Sequence, residues 1–212
     1  MRIRIRFSKT GDLRFIGHRD LMDAFHRILR RAGIRPAYSQ GFHPKPKVSF
    51  PVPLTLCVEG ENELLEIELP EDAENVSPEW IRSELQKHTI PALDFLSAEA
   101  IPTGEKKAVV RSMTYAISVP AERSTRTRER IEWVQNQSSI PFRRIGHDKV
   151  VDIKSGLISL SLEDDGTLLF DLRFMDNGPG PRDILALLEL GDLETHGSVL
   201  VRKNVHIGKN EE

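Results

Sequence analysis

The chain has 212 residues, 39% of them hydrophobic, and a formal net charge of −2 that hides a split of +9 over residues 1–50 against −11 over the remainder. That length suits two domains of about 100 residues, each able to bury a core without covalent staples. The lone cysteine, Cys57, excludes a disulfide framework and an iron-sulfur cluster held by this chain alone; with no run near the roughly 18 apolar residues of a membrane span and no apolar leader core in MRIRIRFSKTGDLRF, a soluble cytoplasmic protein is expected, with no membrane partner.

In chain order, RIRIRF (2–7) alternates strictly, which predicts a half-buried strand with Ile3, Ile5 and Phe7 on one face and Arg2, Arg4 and Arg6 on the other. LRFI (13–16) reads as a second extended piece after a turn at Lys9–Asp12. From Arg19 to Ala32, Leu21, Phe25, Ile28, Leu29 and Ala32 recur at helical spacing, with Asp20 and Asp23 in the first turns and Gly33 as the stop. VSFPVPLTL (48–56) and NELLEIELP (62–70) read as strands, the first irregular because of Pro51 and Pro53. Ser77 and Pro78 open a helix to about Lys87, and LDFLSAEAI (93–101) is a strand.

Strand, helix, strand, strand, helix, strand is the split βαβ order of a ferredoxin-like domain. A linker follows at 102–107. Beyond it, 109–119 reads as a strand, Ala121–Gln137 as a helix, 141–154 as extended and 157–174 as a hairpin turning at Asp164-Asp165-Gly166; Pro181–Leu190 reads as a short helix and 198–207 as a last strand. The expected fold is α+β, two tandem ferredoxin-like domains with antiparallel sheets and helices on one face. Their expected extents are 1–103 and 108–208, with a disordered tail at 209–212.

The basic first segment points to a polyanion. Arg2, Arg4 and Arg6 recur about 6–7 Å apart along the strand, near the phosphate repeat of an extended single strand. The competing reading is a solvated face, or ion pairs with Glu66 and Glu68 on a neighbouring strand. The helix adds Arg19, His26, Arg27, Arg30 and Arg31 along a broad polar surface. The loop Tyr38-Ser39-Gln40-Gly41-Phe42-His43-Pro44-Lys45-Pro46-Lys47 combines aromatics, amide and hydroxyl donors and cations on a backbone stiffened by proline, a combination suited to single-stranded RNA; a rigid connector without ligand is its plainer alternative.

On this reading Arg2, Arg4, Arg6, Arg14, Arg30, Arg31, Lys45 and Lys47 hold phosphates. Tyr38, Gln40, Phe42 and His43 form a stacking or loop site, and His18 with Asp20 forms a hydrogen-bonded pair or part of a site. No spacing of histidine, cysteine or carboxylate suits a metal, and the Gly-Pro-Gly-Pro run at 178–181 lacks the lysine of a phosphate loop, so neither metal nor cofactor is expected. His88, His147, His196 and His206 are scattered and read as structural or solvated.

The stretch LRFIGHRDLMDAFHRILRRAGIRPAYSQGFHPKPKVSF resembles a bacterial family, the radical SAM-linked proteins built on domain of unknown function 2344. The shared motifs fall at Phe7 to Lys9, Leu13 to Met22, Arg31 to Gly33, Tyr38 to Phe42 and Pro46 to Phe50, and the match is specific over roughly the first 70 residues. This chain carries His43 and Lys45 where such sequences often have asparagine and histidine. Family members occur beside, or fused to, a radical SAM protein, so the resemblance implies a radical SAM partner that carries the cluster chemistry.

The expected function is that of a non-catalytic RNA-binding accessory protein acting with a radical SAM enzyme on ribosomal or transfer RNA. Two alternatives stand beside it. One is a metal-independent endoribonuclease using His18, His26 or His43; the other is a docking module whose residues 38–47 bind the partner protein and no nucleic acid.

Overall fold

Alternation in RIRIRFSK produces strand β1 (Arg2–Lys9), whose Ile3, Ile5 and Phe7 are buried. The computed structural model describes residues 1–70, 73, 76–102, 104, 105, 107–144 and 150–208. The tail expected over 209–212, His147, and the linker positions Thr103 and Lys106 lie outside these residues. The chain divides into two units, Met1–Val109 together with Gly208, and Val110–Ile207.

The first unit continues with helix α1 (His18–Arg31), strands β2 (Val48–Ser49) and β3 (Glu59–Glu68), helix α2 (Pro78–Lys87) and strand β4 (Leu93–Ile101). Its strands are ordered β4-β1-β3, and β2 pairs with β3 on the edge opposite β1; every pairing is antiparallel. Both helices pack against the isoleucine face of β1. Leu21, Phe25, Ile28 and Leu29 of α1 and Ile81 and Leu85 of α2 share one core with Ile3, Ile5, Phe7, Leu65, Ile67 and Phe95. A free helix of α1's length is marginal in water, whereas burying each of its four large apolar side chains contributes roughly 1.5–3 kcal/mol, so packing holds α1 in place. The Phe25 ring stands edge-on to Phe7, Phe50 and Phe95 at 5.0, 5.3 and 5.7 Å. Ser77 caps α2 by accepting from the Trp80 amide.

Two elements differ from the sequence reading. Residues 13–15 are not extended: Gly11–Phe15 is a 3-10 turn, and Leu13 within it and the extended Ile16 just after it both lean on the core. Glu59 fixes the turn by accepting from the Gly11 amide at 3.0 Å and from Arg14 at 3.4 Å. The strand expected over 48–56 shrinks to Val48–Ser49, because Pro51 and Pro53 offer no amide to a ladder.

The second unit holds strand β5 (Val109–Ser118), helix α3 (Ser124–Gln135), strands β6 (Pro141–Arg143) and β7 (Val150–Asp152), a short α4 (Ile153–Gly156), strands β8 (Leu157–Leu162) and β9 (Thr167–Arg173), helix α5 (Pro181–Leu187) and strand β10 (Val201–Gly208). The strand order is β10-β5-β9-β8, with β6 and β7 paired separately. Asp165 stabilises the β8–β9 turn by accepting from the Thr167 amide, and Gly166 takes the left-handed conformation there (φ +84°). The helix expected from Ala121 begins as a 3-10 turn over Ala121–Arg123. The stretch expected to be extended up to residue 154 instead turns helical at Ile153, where Asp152 caps the Lys154 amide.

Candidate nucleic-acid interface

The register of β1 against its neighbours decides the fate of its arginines. Arg4 lies opposite Glu66 on β3 and Glu99 on β4, and Arg2 lies opposite Glu68. Arg4 is only 8% exposed and donates to Glu66 at 3.1 Å through both Nε and Nη2, and to Glu99 at 3.1 Å through Nη1. Glu105 approaches Arg4 at 3.7 Å, its carbonyl accepts from Arg2 at 2.9 Å, and the Ala108 amide donates to Glu66 at 3.1 Å. Glu105 and Ala108 thus lie on the arginine side of the sheet, which the sequence reading left open. Arg6 donates to the Asn62 carbonyl at 3.3 Å, and burial holds its guanidinium below its ordinary pKa. Arg2 and Arg4 belong to an internal ion-pair network, and Arg6 lies partly buried beside it.

Other predicted cations are also engaged. Arg14 bonds Glu59 and the Gly11 carbonyl and lies 4.4 Å over the Phe15 ring. Lys47 donates to Glu68 at 2.6 Å, and that hydrogen bond keeps the Glu68 carboxyl below the usual glutamate range. By contrast, Arg19, Arg27, Arg30, Arg31, Arg35 and Lys45 are all exposed, and among the described residues none forms an ion pair. Five of them lie on α1 or within four residues of its end, where the helix dipole favours cations near Arg30 and Arg31.

The end of α1 shapes a groove. Gly33 adopts φ +70°, its amide bonds the Arg30 carbonyl, and the Ile34 amide bonds the Leu29 carbonyl at 2.9 Å, a paired closure that turns the chain back along its own helix. Ile34 is buried while Arg35 projects, and Pro36 holds the returning strand extended. The resulting groove, about 550 Å³, is lined by His26, Leu29, Arg30, Gly33, Ile34, Arg35, Pro36, Tyr38 and Pro46. Among the described residues no carboxylate lines it. His26 Nε2 is buried and has no hydrogen-bond partner among the described residues, a cost of roughly 1–3 kcal/mol.

The loop beyond the groove is a narrow tongue. Ala37 donates to the Glu68 carbonyl, Lys47 to the Ala37 carbonyl and Ser39 to the Lys45 carbonyl, while Tyr38 and Pro46 bridge antiparallel. The Ser39 hydroxyl accepts from the Lys45 amide at 3.0 Å. These bonds root the tongue at the end of β3 and raise its tip into solvent. Gln40, Gly41, Phe42, His43, Pro44 and Lys45 are exposed there, and the Phe42 ring touches almost nothing.

Of the predicted residues, the fold brings Arg30 and Tyr38 together in the groove, with Gln40, Phe42, His43 and Lys45 on the adjoining tongue. It sets Arg2, Arg4, Arg6, Arg14 and Lys47 into ion pairs or carbonyl contacts. His18 and Asp20 are both exposed, and no hydrogen bond joins them among the described residues; the His18 ring packs edge-on to Phe50 at 5.3 Å. Sequence reading gave Arg35 no role, although the Gly33–Pro36 spacing carried the signal that the chain doubles back there. No cluster of three metal-ligating side chains occurs, and no helix is long and apolar enough to cross a membrane, among the described residues.

Comparison with known proteins places the chain in a family. A family model described as "Uncharacterized protein conserved in bacteria (DUF2344)" matches residues 2–181, and the chain belongs to that family. No curated protein matches. Among solved structures, one titled "Crystal structure of putative glycine cleavage system transcriptional repressor" aligns over 99% of this chain and 98% of its own at 12% identity, with a TM-score of 0.24. A score that low supports no structural argument.

Proposed function

We propose that this member of the bacterial DUF2344 family is a non-catalytic RNA-binding accessory protein that grips a single strand along α1 and the tongue. The observation that carries the reading is the contrast in use of charge. Exposed arginines on and just after α1 form no ion pair among the described residues, and Arg30 and Arg35 share a groove with exposed Tyr38, whereas Arg2 and Arg4 of β1 are committed to carboxylates. Unpaired cations bind phosphates and are driven by the release of condensed counterions, and exposed rings stack on bases of any sequence.

In the same proposal each unit is a ferredoxin-like domain. The strand orders β4-β1-β3-β2 and β10-β5-β9-β8 support it, with β6, β7 and α4 as an insertion in the second. The radical SAM link belongs to the proposal as well: with Cys57 as its one cysteine, this chain would leave a thiolate-held cluster to the partner, and ribosomal or transfer RNA would be the shared substrate.

The test is anisotropy of a labelled single-stranded RNA over a salt series, with wild type and an Arg27→Ala, Arg30→Ala, Arg31→Ala variant. Each lost phosphate contact removes about 0.7 from the salt slope, so the variant's slope should fall by about 2. Equal binding by both proteins, or none by wild type, overturns the reading. RNA cleavage in EDTA that a histidine substitution abolishes would select the endoribonuclease alternative. Partner capture that depends on residues 38–47, without RNA affinity, would select the docking module.

A further inference from the structure

We infer that the groove between the end of α1 and the tongue takes one unstacked nucleotide, its base against Tyr38 and its phosphate between Arg30 and Arg35. This deepens the RNA reading and rests on it for the source of the nucleotide. The lining divides by chemistry. Leu29, Ile34, Pro36 and Pro46 make an apolar floor and wall, Tyr38 supplies a half-exposed ring, and two guanidiniums and an imidazole supply donors. A volume of about 550 Å³ falls within the range of small-molecule pockets rather than of a shallow surface dent.

The two guanidiniums that line the groove, with no carboxylate among the described lining residues, favour an anion, and the apolar floor beside a ring favours a flat, weakly polar body attached to it. A base joined to a phosphate has both parts. The α1 carbonyl end, whose dipole would repel a phosphate, is offset there by Arg30 and Arg31. Gly33 permits the turn that shapes the groove, since a residue with a Cβ would be strained at φ +70°. His26 adds an imidazole to the groove wall beside the two guanidiniums.

The experiment titrates the full chain with adenosine 5′-monophosphate, uridine 5′-monophosphate and inorganic phosphate, and separately with a single-stranded RNA oligonucleotide. Wild type is compared with Tyr38→Ala, Tyr38→Phe and Arg35→Ala, all at exposed positions that should leave the fold intact. The expected result is that a mononucleotide binds, more tightly than phosphate, and competes with the oligonucleotide. Tyr38→Ala should weaken the oligonucleotide by roughly 5- to 150-fold, the range of base–aromatic stacking, while Tyr38→Phe retains affinity.

If the oligonucleotide binds equally to wild type, Tyr38→Ala and Arg35→Ala and no mononucleotide binds, the groove inference falls and the RNA reading stands. If a mononucleotide binds through Tyr38 and the oligonucleotide does not bind, the groove holds a free nucleotide and the RNA reading falls. Phosphate binding as tightly as either mononucleotide overturns the base site. Binding of none of the probes overturns both.

Discussion

The first unit contains two sets of arginines whose fates are opposite. On β1, Arg2, Arg4 and Arg6 alternate with core residues on a strand flanked by Glu66, Glu68 and Glu99, and the ladder register brings those carboxylates level with them. On α1 and just beyond it, Arg19, Arg27, Arg30, Arg31 and Arg35 share their surface with few acids, and Asp23, one turn from both Arg19 and Arg27, forms no ion pair with either. A cation count therefore says little about binding. What matters is which carboxylates the fold delivers to each cation before a ligand arrives.

The largest expected effect sharpens the structural side of this contrast. Glu66→Ala removes the buried carboxylate that takes two of Arg4's hydrogen bonds and leaves the more exposed Glu99 and Glu105 as its partners, so the loss should approach from below the roughly 3–5 kcal/mol of breaking a buried pair, read as a fall in the urea midpoint. Removing both charges with Arg4→Met and Glu66→Leu should recover much of that loss, since apolar replacement of a buried pair is often near neutral. A loss below about 1 kcal/mol for Glu66→Ala would show that the network is solvated rather than structural.

The functional side breaks or holds on a crossed comparison. Arg30→Ala should change stability by no more than about 0.5 kcal/mol yet weaken RNA binding, whereas Arg4→Ala should lower stability and leave the affinity of the folded fraction unchanged. Parallel behaviour of the two variants would erase the distinction between committed and available cations.

Lys47 gives a smaller, pH-dependent case. Its hydrogen bond depresses the folded-state pKa of Glu68, so the contribution is fully present above the ordinary glutamate value near 4.3 and is lost as pH falls through the depressed one. The pair is largely exposed, so Lys47→Ala should cost about 0.2–1 kcal/mol at neutral pH. That difference should vanish in acid, as urea midpoints at the two pH values would show. The smallest effect is at the tongue tip: Phe42→Ser should leave stability within about 0.5 kcal/mol, because the ring makes almost no contacts, and any change in RNA affinity would then report stacking alone.

Much of the secondary structure was legible because it is written in local periodicity and caps. Ile3, Ile5 and Phe7 at period two, Leu21, Phe25, Ile28 and Leu29 at helical spacing, Ser77 before Pro78, and the Asp-Asp-Gly turn each carry their own physical cause within a few residues. The failures lie where tertiary contacts outweigh local pattern. Residues 13–15 look extended until Glu59 binds the Gly11 amide and Arg14 and pins a 3-10 turn.

The sequence by itself determined the charge asymmetry, the alternating faces of β1, the apolar stripe of α1 and the concentration of aromatics and cations at 38–47. Tertiary structure alone decided which of those cations remain available. The deciding groups are Glu66, Glu99 and Glu105, respectively 62, 95 and 101 residues from Arg4; strand register brings the first two to it, and the chain beyond β4 brings Glu105. Chain spacing holds no record of such pairing, because an ion pair depends on distance in space. The groove is likewise absent from any window of the sequence: the Gly33 turn and the tongue's anchorage on β3 create it by bringing Tyr38 and Pro46 back beside His26 and Arg30.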